Sequence, residues 1–396
     1  MKNMTQNVFA GLTILDHTRY LLGGYATQVF ADLGANVIKV EEMAKGDLCR
    51  ETKPLKNGVS HYFSALNRNK KSFSVNLKSQ GGKDAYLKLL EKADIVIENF
   101  RPGVMDRLGI GYEVEKAIQP SIIHCSLTGF GQEDPRSLKA YHDINFQALS
   151  GYLSLNGGRV SPIHLADVAT AMVAVQSVMA ALLQRQSTGE GAFCDVRMFD
   201  SFVWWNSILD ARYQFLGNQL KESELEFPVL AYNVYETADG GKISIGMLED
   251  KFWEAFLEFN ELKELRPYKM SVREDEPEAF GKMEALFFSR TLKEWKEWLK
   301  DKDICAMWVM DKEDALNYIL SENQGLMEYC GFSRTGETLQ TRIPQIVSTL
   351  PVSLKGASEP PRLGEHNREI LEGLGYSGEE IANMISTGAC GSLQKK

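Results

Sequence analysis

The sequence predicts an α/β fold: a large Rossmann-like domain with a parallel sheet, and a smaller α/β domain after it. Three observations carry that prediction. Short apolar runs alternate with helical spacing from residue 12 to residue 200, beginning with a βαβ unit. A polar connector, 217 to 226, then interrupts the pattern. Beyond it the order changes to a hairpin followed by charged amphipathic helices.

Taken in order, Leu12 to Leu15 is an apolar run ending in Asp16, followed by a Gly23-Gly24 turn and a helix through Gln28, Phe30 and Leu33. Gly34 stops that helix, and Asn36 to Glu41 reads as a buried strand. The opening has Rossmann wiring without GxGxxG, so a dinucleotide is not indicated. The basic run Asn67-Arg68-Asn69-Lys70-Lys71 reads as a solvated turn before the alternating strand Ser72 to Leu77. A helix over Lys83 to Glu91 and a strand over Asp94 to Ile97 deliver Asn99-Phe100-Arg101-Pro102-Gly103, a turn at a strand's carboxyl end, where open α/β sheets bind ligands. Ser121 to Leu127 is a further strand. After Asp200, Phe202-Val203-Trp204-Trp205 reads as an aromatic core stripe. Past the connector, Val234 to Glu236 and Lys242 to Ile245 make a hairpin about Asp239-Gly240-Gly241. Glu249 then precedes an amphipathic helix with Phe252, Trp253 and Phe256, Thr291 to Glu294 has capping-box form, and Ile304 to Met310 is a strand.

Composition narrows the function without choosing it. The 396 residues are 44% hydrophobic and 24% charged, enough for two well-cored domains. No apolar run is read as a bilayer span and MKNMTQNVF has no signal-peptide core, so cytoplasm is expected. Six scattered cysteines without CxxC or a Cys/His cluster suggest neither a metal site nor disulfides, and buried free thiols are expected. A net charge of -9 argues against nucleic acid, which needs concentrated Lys and Arg.

The chemistry centres on Lys139 to Asp200. Asp167 is the single acid in an apolar surround from Ile163 to Leu183, at the start of a helix with Val168, Met172, Val175, Val178, Met179 and Leu182 at helical spacing. Its plain reading is an N-cap. Upstream, Tyr141-His142-Asp143-Ile144-Asn145 places an imidazole, a carboxylate and an amide in a loop-to-helix start.

These stretches resemble family III CoA-transferases, the carnitine and bile-acid CoA-transferase group, which includes formyl-CoA transferase and 2-methylacyl-CoA racemase. The resemblance rests on LADVATAMVA, GLTILDHTR, ATQVFADLGANVIKVEE, LNRNKKSFSVNLK, ADIVIENFRPGVMDRLGIGY, HCSLTGFGQ, TGEGAFCDVRMFD, YETADGGKISIGMLEDKFW and PRLGEHNREILEGLGYSGEEI, spread over nearly the whole chain. It implies that 1–220 begin the large CoA-binding domain, 221–330 form the small one and 331–396 return to the large one, with two chains interlocked as a homodimer. It implies an acyl-CoA thioester as substrate, with a carboxylic acid as its partner and no permanently bound cofactor.

The same resemblance makes Asp167 the catalytic carboxylate. It puts Val75, Lys78, Asn99, Phe100 and Arg107 at CoA-contacting positions, and charge adds Arg101 as a cation for the phosphates. Glu42 stands where formyl-CoA transferase has an arginine near the adenine end. Two chemistries follow. In CoA transfer, the one towards which the sequence leans because it demands fewer groups, Asp167 attacks the thioester carbonyl to give a mixed anhydride, with helix-start amides available to the oxyanion. In racemisation, His142 and Asp167 act as an acid and base on opposite faces of the α-carbon; His142-Asp143-Ile144-Asn145 and Glu249 resemble that branch. A lone loop histidine is also commonly structural. A third possibility, a silent acyl-CoA-binding subunit, would be marked by loss of the aspartate, and Asp167 is present.

Overall fold

The computed structural model describes residues 8–216, 228–322, 325–344 and 353–392. The chain divides into two compact units, one of 1–153, 159–205 and 319–396, the other of 154–158 and 206–318. The connector at 217–226 falls outside the described residues.

The first unit is built on six strands: β1 (Thr13–Asp16), β2 (Asn36–Glu41), β3 (Lys70–Ser74), β4 (Ile95–Glu98), β5 (Ile123–Thr128) and β6 (Ala192–Arg197). They pair in parallel in the order β3-β2-β1-β4-β5-β6. Except on the edge strand β6, where Phe193 is exposed, their apolar residues are buried on both faces, as a parallel sheet covered by crossover helices requires. The strand order reverses between β1 and β4. At such a point two carboxyl-end loops diverge and leave a crevice.

Helix α1 (Tyr20–Asp32) leaves that crevice. Gly23 and Gly24, expected as a turn, lie inside it. A Cβ on Gly23 would stand 2.0 Å from the Thr18 side chain, so glycine here admits close approach to the loop after β1.

Beneath the crevice the sheet buries charge. Lys39 lies 2.9 Å from Asp47 and 3.7 Å from Asp16, and Lys70 lies 3.4 Å from Asp16 and donates to the Thr27 hydroxyl at 2.7 Å. Arg68 is buried against Asp32. The run 67–71 is therefore not wholly a solvated turn: Asp32 and Asp16 draw Arg68 and Lys70 inside, where burial is tolerated only because each is paired, while Lys71 stays partly exposed and pairs with Glu369.

Two helices complete the frame of the site, α2 (Asp143–Leu149) and the 24-residue α3 (Leu165–Thr188). By length and composition α3 could cross a membrane, contrary to the sequence reading. In the fold its small residues Ala166, Ala169, Ala171 and Ala174 are buried in the core with Phe30, Ile97 and Phe146.

The second unit, by itself, packs Trp253, Phe256, Phe287 and Trp295 beneath a three-stranded antiparallel sheet, β7 (Tyr232–Glu236), β8 (Lys242–Gly246) and β9 (Ala306–Trp308), with β8 central. The expected hairpin is β7–β8. The capping box at Thr291 is present, with Glu294 accepting from the Thr291 amide at 2.8 Å. The aromatic stripe is only partly core: Phe202 is buried, whereas Trp204 and Trp205 are exposed. Cys49, Cys125, Cys330 and Cys390 are buried, Cys194 is partly so, and Cys305 is exposed.

Candidate active site

Asp167 is the third residue of α3. It is not the N-cap. That work is done from another helix: Asp143, the first residue of α2, turns its buried carboxylate so that Oδ1 accepts from the amides of Ala166 at 2.7 Å and Asp167 at 3.1 Å. Gln147, one turn further along α2, donates to the other oxygen at 2.5 Å. The Val168 amide is bonded to the His164 carbonyl at 3.0 Å. Of the helix-start amides, those of Ala166 and Asp167 are thus occupied, while that of Leu165 has no partner among the described residues.

The consequence for Asp167 is electrostatic. Among the described residues nothing donates a hydrogen bond to its carboxylate. Burial and then the neighbouring Asp143 disfavour its charge, pushing its pKa up to about 7.

His164 occupies the capping position of α3 without making a cap bond. Its Nδ1 lies 3.7 Å from Asp143 Oδ2 and its Nε2 lies 3.4 Å from the Tyr62 hydroxyl. One side-chain atom each from Asp143, His164 and Asp167 falls within 4.8 Å of the others, a spacing that could hold a cation. Prior bonding of both Asp143 oxygens suits a positioning carboxylate better than a ligand. Tyr25 of α1 also faces Asp167, and burial, Tyr62 and Asp167 raise its pKa.

His142 precedes Asp143 at the exposed start of α2, where its amide donates to Asn145 Oδ1 at 2.9 Å, and it is not a member of the three-residue group. Glu249 is the exposed capping residue of the helix Asp250–Phe259 in the second unit. A concave surface of about 770 Å³ lies wholly within that unit, lined among others by Tyr232, Val234, Ser244, Cys305 and Met307.

The residues expected to hold CoA gather at the carboxyl ends of the sheet. Asn99 clips the two diverging loops together: its Oδ1 accepts from the Arg19 amide and its Nδ2 donates to the Arg19 carbonyl, both at 2.9 Å. The Arg19 guanidinium stands 5.3 Å over the Phe100 ring. Lys78, Arg101 and Arg107 are exposed and carry no ion pair among the described residues, which leaves their charge for a ligand. Val75 is buried and forms a β-bridge with Cys390. Glu42 accepts from the amides of Ala44, Lys45 and Gly46 at 2.9, 2.5 and 3.1 Å.

Sequence reasoning passed over the roles of Asp143, His164, Tyr62 and Arg19. The one usable signal was local: His164 stands three positions before Asp167, and an imidazole there shares the acid's end of the helix.

A family model described as CoA-transferase family III matches residues 9–367. The chain is 31% identical to succinyl-CoA:glutarate CoA-transferase of Mus musculus over 393 residues, spanning 96% of this chain and 89% of that one. It is 28% identical to alpha-methylacyl-CoA racemase of Homo sapiens over 389 residues, spanning 95% and 96%. The crystal structure of a CAIB/BAIF family protein from Brucella suis superposes with a TM-score of 0.78 at 26% identity, covering 93% of this chain and 99% of that chain. Together, a reversed parallel sheet and these matches define an enzyme of acyl-CoA chemistry. The chain belongs to CoA-transferase family III.

Proposed function

We propose that the enzyme moves a proton at the carbon α to a CoA thioester, inverting a 2-methylacyl-CoA. The observation that carries this reading is the state of Asp167. A carboxyl held near 7 is present in both protonation states at neutral pH, as an acid and base of a reversible reaction must be. A nucleophile is idle whenever it is protonated, and two of the helix-start amides that would stabilise a tetrahedral oxyanion, those of Ala166 and Asp167, are filled by Asp143. In the forward direction Asp167 removes the α-proton, and a second group, His142 by family resemblance, returns one to the opposite face. Val75, Lys78, Asn99, Phe100, Arg101 and Arg107 form the CoA side of the site, and a cytoplasmic homodimer is the assembly that fits the resemblance.

CoA transfer through an Asp167 mixed anhydride is the second reading. What favours it is the relative at 31% identity whose name is a CoA-transferase, together with a carboxylate unquenched by hydrogen bonds and therefore a better nucleophile.

The test is mass spectrometry of 2-methylacyl-CoA thioesters incubated in D₂O without an acceptor acid. We expect one deuterium at the α-carbon, lost in Asp167→Asn and strongly reduced in His142→Ala. No incorporation by the wild type, with CoA changing partners once carboxylic acids are added, would replace this reading by transfer.

A further inference from the structure

Asp167 is only partly open to solvent, and an exposed imidazole stands beside it. Asp167 lies largely buried at the start of α3, with a carboxylate that no described residue hydrogen-bonds. His164, one turn before it, has a side chain 47% exposed. Because Asp143 caps the helix in its place, the imidazole is not consumed by backbone amides. The groups that face it are Asp143 at Nδ1, Tyr62 at Nε2, and Asp167 within 4.8 Å. Tyr25 faces Asp167 as well, as a phenol whose ionisation is made harder by burial. Histidine as a residue type is the one suited to both take up and give a proton in a relay.

We propose that His164 is the relay through which Asp167 exchanges its proton with solvent. The proposal rests on the proton-transfer reading. An enzyme that inverts a carbon with two groups ends each turnover with their protonation states exchanged, so a separate step must restore them. After Asp167 has taken the α-proton and the other face has been reprotonated, Asp167 is a neutral carboxylic acid. Its proton passes to one ring nitrogen of His164, across a gap that one water molecule bridges, while the opposite ring nitrogen gives its own proton to solvent. Asp167 returns to carboxylate, one proton reaches water, the imidazole stays neutral with its tautomer exchanged, and solvent exchange resets it. No bond other than N–H and O–H is made or broken. Asp143 and Tyr62 hold the ring in place and need not titrate.

The experiment uses a 2-methylacyl-CoA of single configuration in D₂O, with recovered substrate and inverted product separated before mass analysis. In the wild type both carry deuterium. In His164→Gln, for the configuration whose proton Asp167 removes, Asp167 returns the original hydrogen before it can exchange. The label in recovered substrate then falls roughly tenfold or more relative to that in inverted product. Imidazole added to His164→Ala restores the ratio, an effect that a merely structural role does not produce. An unchanged ratio for both configurations in His164→Gln, or no rescue of a changed ratio in His164→Ala, overturns the proposal alone. Absence of exchange in the wild type overturns it together with the proton-transfer reading, so the two failures are told apart by which protein shows them.

Discussion

A carboxyl placed where its charge is unwelcome leaves a mark on stability as well as on reactivity. Asp167 has its folded pKa raised to about 7 from a usual value near 4, so the folded state holds a proton that the unfolded state releases first. Its contribution is full below pH about 4 and is lost as pH rises through about 7. Asp167→Asn removes that loss: at pH 8 the variant should be more stable than wild type by ~2 kcal/mol, the full shift being discounted for partial exposure, and near pH 4 the two should coincide. Urea unfolding at the two pH values measures this, and an equal difference at both would refute the burial account. Asp143→Ala should cost about 1 kcal/mol through the lost cap and lower turnover, because the acid's helix start is no longer tied to α2. At this scale the sequence made Asp167 legible as the one acid in an apolar surround. It could not show that the cap comes from a residue 24 positions away, since an N-cap rule looks only at neighbours. Nor could it show Arg68 and Lys70 buried, because their partners Asp32 and Asp16 lie far along the chain.

Among the elements, the two loops joined by Asn99 have the most to say about binding. Asn99 completes a pair of hydrogen bonds that fixes the loop after β1 against the loop after β4. Asn99→Ala should raise KM for the thioester roughly tenfold while changing kcat less, since it loosens the seat of the CoA moiety and leaves Asp167 untouched. A fall in kcat with KM unchanged would mean that the clip serves the acid instead. The β-strands themselves were readable from apolar runs, and the hairpin and capping box from short-range chemistry, because those signals are local. The stripe at 202–205 was not, since hydrophobicity alone does not say which residues of a short helix the rest of the fold covers.

For the molecule as a whole, parallel strands were legible but their order was not, and the order is what creates the crevice. It also stacks charge within the sheet. His124 on β5 is buried between Glu115 at 2.7 Å and Glu98 at 3.8 Å, while Glu98 receives the Phe100 amide at 2.6 Å. Burial alone would depress the imidazole pKa; hydrogen bonds to Glu115 and Glu98 outweigh it and raise the value to about 9. That stabilisation is complete below pH about 6.5 and disappears as pH climbs through about 9. His124→Gln should therefore lose 3 kcal/mol or more, by order of magnitude, at pH 6, with the deficit shrinking at pH 10. Thermal unfolding across that range checks it, and a deficit independent of pH would show that shape, not charge, is what His124 supplies. The loop after β2 carries a different consequence. With Glu42 seated on three consecutive amides, that stretch of backbone is a receptor supplied with its own guest. A substrate phosphate arriving there must either evict a tethered competitor or bind elsewhere, so the loop selects by refusal and sends negative charge towards side chains whose cations are still unclaimed.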